Sequence, residues 1–136
     1  MKRPDRKMPS LPEEWLNHAI SDFRLAQLGR QDDLIMREQV CFHAQQAVEK
    51  AFKAVLLHGK IDFPFSHNLQ ALVELIMENG IPVSEDIAAS GVLTPYAVEA
   101  RYPGYWGEIA EQDVGEALTL AETVIAWAKG IIASTK

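Results

Sequence analysis

His43, Gln46, Lys50 and Lys53 recur at intervals of three or four residues, a spacing that puts their side chains on overlapping faces of one helix. On such a stripe Lys50 can attract an anion and His43 can exchange a proton near neutral pH. A solvated face or a helix-packing network would use the same residues equally well. His67 follows Ser66 at a predicted helix start, where unpaired backbone amides and the helix dipole favour phosphate. The same ring can instead bond backbone and hold the preceding loop. Arg101 offers five directed donors suited to phosphate or carboxylate, and Tyr102, Tyr105 and Trp106 can stack on a base or pack an interface. Pro103 and Gly104 fit those aromatics into a shaped turn as readily.

Other chemistries lack their residues. His18, His43, His58 and His67 form no HExxH pair and no compact histidine–carboxylate pattern, so no obligatory metal is expected. The chain contains no GxxxxGK[ST] phosphate loop, no GxGxxG fingerprint and no serine elbow. No cofactor is expected. Asp62 lies close to His67 in sequence, but a proton relay between them would still lack a nucleophile.

The elements that must position these groups are helices. Met1–Pro9 reads as a flexible basic arm, and residues 10–136 as a single domain. Ser10-Leu11-Pro12-Glu13 resembles a capping box, and the apolar spacing from Trp15 to Leu28 predicts a first helix interrupted at Gly29. Asp32 or Asp33 can cap a second helix that runs to about His58 and stops at Gly59. Its apolar residues are Leu34, Cys41, Ala44, Val48, Ala51 and Val55, while Glu38, Gln45, Glu49 and Lys53 mainly occupy other faces. Ser66 can cap a third helix that ends at Asn79-Gly80. A fourth helical region, Glu85–Ala100, contains Gly91 and Pro95 as candidate breaks. A final helix spans about Glu111 to Ile131. The pattern predicts an all-α, up-and-down antiparallel bundle with four main helices and a short or broken fifth.

The chain has 136 residues, 48% of them hydrophobic and 24% charged, with a formal charge of −6. That length fits one core rather than several domains. The lone Cys41 cannot make an intramolecular disulfide, and no secretory signal order opens the chain. A cytoplasmic location is expected. No uninterrupted apolar run approaches the roughly 20 residues of a membrane span, so no membrane partner is expected either. Met1–Lys7 carries four cations against Asp5, leaving the remainder at −9. Such an acidic body disfavours indiscriminate nucleic-acid binding but still permits a local basic groove.

The run His43-Ala44-Gln45-Gln46-Ala47-Val48-Glu49-Lys50-Ala51-Phe52-Lys53-Ala54, followed by His67-Asn68-Leu69 and Arg101-Tyr102-Pro103, resembles the HEPN family of small helical-bundle proteins, with a match from about Glu13 to Ile131. The resemblance implies a homodimer, nucleotide binding, and a link to minimal nucleotidyltransferases and toxin–antitoxin systems. It carries a ligand-binding surface onto His43, Gln46, Lys50, His67, Arg101 and Tyr102, with Lys50 and Arg101 as the phosphate contacts. The family's ribonuclease branch places a histidine four to six residues after a late arginine. Here Tyr102-Pro103-Gly104-Tyr105-Trp106-Gly107 follows Arg101, and no histidine occurs later. Arg37 and His43 have the bare spacing, but six helical steps rotate side chains by about 240°, so the pair does not share a face. The expected function is a homodimeric nucleotide-binding or regulatory interaction protein paired with a nucleotidyltransferase. The alternatives are a metal-independent, toxin-type RNA endoribonuclease and a purely structural interaction subunit.

Overall fold

The computed structural model describes residues 10–97 and 108–134; Arg101, Tyr102, Tyr105 and Trp106 lie outside the described residues. The described residues are all-helical, in the order α1 (Pro12–Arg30), α2 (Arg37–His58), α3 (Leu69–Glu78), α4 (Glu85–Ala88), a 3-10 stretch (Ala89–Ala97) and α5 (Glu111–Ser134). Four substantial helices with one short, broken element match the expected bundle.

The helix starts differ from the sequence expectation in an informative way. Leu11, not Ser10, occupies the N-cap of α1, and the Glu14 carboxylate accepts the Leu11 amide at 3.1 Å. Pro12 follows at the first helical position, where its missing N–H leaves no bond unmade. Helix α5 starts in the same manner, with the Asp113 carboxylate accepting the Ala110 amide at 2.8 Å. Each start thus keeps the carboxylate half of a capping box without a hydroxyl half. Asp32 and Asp33 do not cap α2. Asp32 accepts the Leu34 amide at 2.9 Å within the turn, and the helix begins only after Met36. Ser66 likewise serves its own turn, accepting the Asn68 amide at 3.0 Å, while Asn68 caps α3 by accepting from Ala71 at 3.2 Å.

The helix ends follow one pattern. After α2 the Lys60 amide donates to Leu57 and the Ile61 amide to Leu56; after α3, Gly80 donates to Met77 and Ile81 to Ile76. Both are Schellman ends. The residue taking the left-handed conformation is Gly80 at φ 79° in one and Lys60 at φ 57° in the other. The sequence expectation placed the stop at Gly59, whose φ is an ordinary −80°. Gly29 does not break α1 either. It is buried inside the helix, where a Cβ would approach Val40 and Ile35 to 3.2 and 3.3 Å, so its small size lets the two helices close.

Helix α2 is about 33 Å long at 1.5 Å per residue, and 13 of its 22 residues are buried. It is therefore the central element, contacted by α1, α3, the 3-10 stretch and α5. Phe52, Leu56, Leu69, Leu72 and Ile76 are completely buried, each contributing about 1.5–3 kcal/mol. Phe52 meets the Trp127 ring edge-on at 6.0 Å, and the Trp127 indole donates to the Pro82 carbonyl at 3.0 Å. At the other end, Arg30 pairs with Glu111 at 2.7 Å and Arg37 donates to the Ile109 carbonyl at 2.8 Å. Helices α2 and α5 thus both start where α1 finishes and run antiparallel to it.

Two further expectations are adjusted. The fourth helical region changes from α to 3-10 geometry at Ala89, ahead of both Gly91 and Pro95. Helix α5 has the length and apolar composition to cross a membrane. Its Val114, Ala117, Leu118, Ala121, Val124, Ile125 and Ala128 are instead buried in the core of the bundle.

Candidate functional site

The polar residues of α2 sort into two networks on adjoining faces of the helix. In the first, Asp22 of α1 lies between His43 and Lys50. One carboxylate oxygen is 3.1 Å from His43 Nδ1, and the other accepts from Lys50 Nζ at 2.6 Å. All three are shielded, with side-chain exposures of 14% for Asp22, 26% for His43 and 25% for Lys50. A carboxylate only accepts, so His43 carries its proton on Nδ1.

The second network is deeper. Glu49 is 3% exposed and Lys53 5%, and Lys53 Nζ donates to Glu49 at 2.9 Å. The ammonium also sits 5.5 Å from the centre of the Trp15 ring, within cation–π range. The other Glu49 oxygen accepts from His67 Nδ1 at 2.8 Å and from Gln45 Nε2 at 3.2 Å. Gln45 also donates to the His67 carbonyl at 3.2 Å and accepts from Gln46 at 2.7 Å. A buried carboxylate is tolerable only when paired and fully hydrogen-bonded, and Glu49 is both. The network ties the residues leading into α3 to the middle of α2. Close by, the Leu69 amide donates to Thr94 of the 3-10 stretch at 3.0 Å.

His43 and Lys50 therefore come together on Asp22, and His67 and Gln46 join the Glu49 network. Arg101 and Tyr102 lie outside the described residues. Arg37 and His43 diverge as their spacing implies, one toward Ile109 and the other toward Asp22. Sequence reasoning misses Asp22 because its partners lie 21 and 28 residues away. A signal is present, since Asp22 falls between Ala19 and Ala26 on the buried stripe of α1. Gln45, Glu49 and Lys53, expected on faces away from the core, are among its buried members.

Chemically, each carboxylate–histidine pair fixes one ring nitrogen and directs the other, which is one half of an acid–base arrangement. The His67 side chain is 56% exposed and that of Glu49 only 4%, so this imidazole has a buried anchor and an open edge. Among the described residues no group of three or more histidine, cysteine and acidic side chains is arranged to hold a metal. The Cys41 thiol is not a nucleophile of the site. Burial pushes it up from 9.0 to about 12, and burial also raises its hydrogen-bond partner Tyr96 to about 12.

A HEPN domain model matches residues 12–131, and the chain belongs to that family. The fold is similar to an archaeal HEPN homologue, ST0689, with a TM-score of 0.73 and 24% identity over 91% of this chain and 99% of that one. It is also similar to TT1696 from Thermus thermophilus, with a TM-score of 0.71 and 26% identity over 90% of this chain and 99% of that one. No curated protein matches the sequence.

Proposed function

We propose that this HEPN protein is a homodimeric regulatory interaction subunit whose partner is a minimal nucleotidyltransferase. The observation that carries the reading is the internal neutralisation of α2: Lys50 and His43 are held by Asp22, and Lys53 and His67 by Glu49. A phosphate entering that stripe would have to displace a carboxylate from each cation it bound, at the cost of leaving that carboxylate unpaired. Residues committed in this way brace a scaffold, and the business of a braced helical scaffold is to present surfaces to other chains. Sizing across a dilution series tests the homodimer, and a concentration-independent monomer rejects it. Co-expression with a nucleotidyltransferase followed by sizing tests the partnership; separate elution of the two chains rejects it.

Nucleotide binding is the second reading, supported by the open edge of His67. Two residues on from His67, the Leu69 amide bonds Thr94 of the stretch that ends at Ala97, four residues before Arg101 in sequence. Calorimetric titration with a nucleotide panel checks it, with saturable heat that Arg101→Ala and His67→Ala each abolish. RNA cleavage is disfavoured by the missing late histidine. An RNA panel left intact by the homodimer, alone or with its partner, is the expected result.

A further inference from the structure

At the end of the bundle where α1 finishes and α5 begins, the structure holds a cavity of about 780 Å³ between Arg30, α4, the 3-10 stretch and α5. It shares no residue with the two α2 networks. Its wall is apolar at Ala89, Val92 and Leu120, and Val92 is 67% exposed. Its rim is acidic, formed by Asp86, Glu111 and Glu116. Among the described residues the one cation in the lining, Arg30, is already bound to Glu111 at 2.7 Å. The cavity therefore presents an apolar strip under net negative charge.

The chain carries a segment of the opposite character. Met1–Pro9 concentrates Lys2, Arg3, Arg6 and Lys7 against Asp5, interleaved with Met1, Pro4, Met8 and Pro9, while the rest of the molecule is at −9. We infer that this arm docks in the cavity of its own chain, its cations on Asp86 and Glu116 and its methionine and proline side chains against Val92 and Leu120. The reach is sufficient. Thr123, at the lower end of the cavity, lies 12 residues or about 18 Å along α5 from Glu111, which pairs with Arg30 at the end of α1, and this puts it about 9 Å above the start of α1. Nine extended residues span about 30 Å, enough for that rise plus the roughly 10 Å width of one helix. Tethering supplies an effective concentration of order millimolar, so weak charge pairing suffices. The docked arm occupies an apolar face otherwise open to other chains.

The test uses the full chain with a nitroxide on Pro4→Cys; Cys41 is completely buried and stays unlabelled in the native state. Paramagnetic broadening is expected to remove more than about half the amide intensity of Val92, Gly115 and Thr119, and to be lost in 1 M salt, where the Debye length is about 3 Å. Asp86→Lys combined with Glu116→Lys should abolish it, while Glu78→Lys at the end of α3 should not. If the double reversal fails to fold, Asp86→Asn with Glu116→Gln serves, with a reduction of at least twofold expected. Broadening confined to the first turn of α1 overturns the proposal. So does broadening of a tag-free labelled chain mixed with a tagged unlabelled one, since that assigns the cavity to the arm of a second copy.

Discussion

Glu49 is the residue on which the interior depends. It is a buried carboxylate satisfied by Lys53, His67 and Gln45, so removing one partner leaves charge behind in a low-dielectric core. Lys53→Met should cost about 3 kcal/mol in denaturant unfolding. Adding Glu49→Gln should recover at least about 1 kcal/mol of that loss, because the orphaned charge goes with it. Strictly additive losses would mean that the two side chains do not act as a pair. Cys41 and Tyr96 make a separate prediction. The unfolded chain releases these protons near 9.0 and 10.0 whereas the folded chain holds them to about 12. Their contribution is complete below pH 9 and is lost as pH rises toward 12. Unfolding free energy should fall across that window, less steeply in Tyr96→Phe, and Cys41 should resist alkylation at about pH 8 until the protein unfolds. Much of this residue-scale detail is hidden in the sequence. The helical spacing of His43, Gln46 and Lys50 is legible, but which carboxylate each meets depends on how α1 and the approach to α3 pack against α2.

At the scale of elements, the ends of α2 and α3 form a natural comparison. Both are Schellman motifs, but Lys60 adopts a left-handed conformation that glycine adopts without cost, whereas Gly80 already exploits it. Lys60→Gly should therefore stabilise by up to about 1 kcal/mol, and Gly80→Ala should destabilise by about 1 kcal/mol, both read by thermal or denaturant unfolding. Reversal of these two signs would refute the capping account. The apolar period reveals the existence, order and type of the helices. It does not give their starts, because Ser10, Asp32 and Ser66 are all competent caps, and local turn bonds claim the two whose amide partners lie within the turn. Gly29 misleads for a related reason. A glycine signals a break when judged alone, but here it is the small residue that two crossing helices require.

For the whole molecule, family and architecture are readable from the sequence because one combination of motifs spans most of the chain and the core stripes agree with it. The cavity between α5 and the 3-10 stretch is not, since its walls come from separated segments that no local spacing connects. The acidic balance of the body acquires a location from it: part of that charge rims an apolar surface, opposite in sign to the basic segment that precedes α1. The α2 networks have the complementary role of fixing α1 and the approach to α3 to the central helix, with Lys50 and Lys53 each paired to a carboxylate. The most direct measurement is a titration of the full chain with ATP, followed through the side-chain nuclear resonances of His43 and Lys50. Because Asp22 holds both, these signals should stay in place through millimolar ATP, and Asp22→Asn should make Lys50 responsive. A saturable shift of both side chains in the unmodified protein would contradict the account.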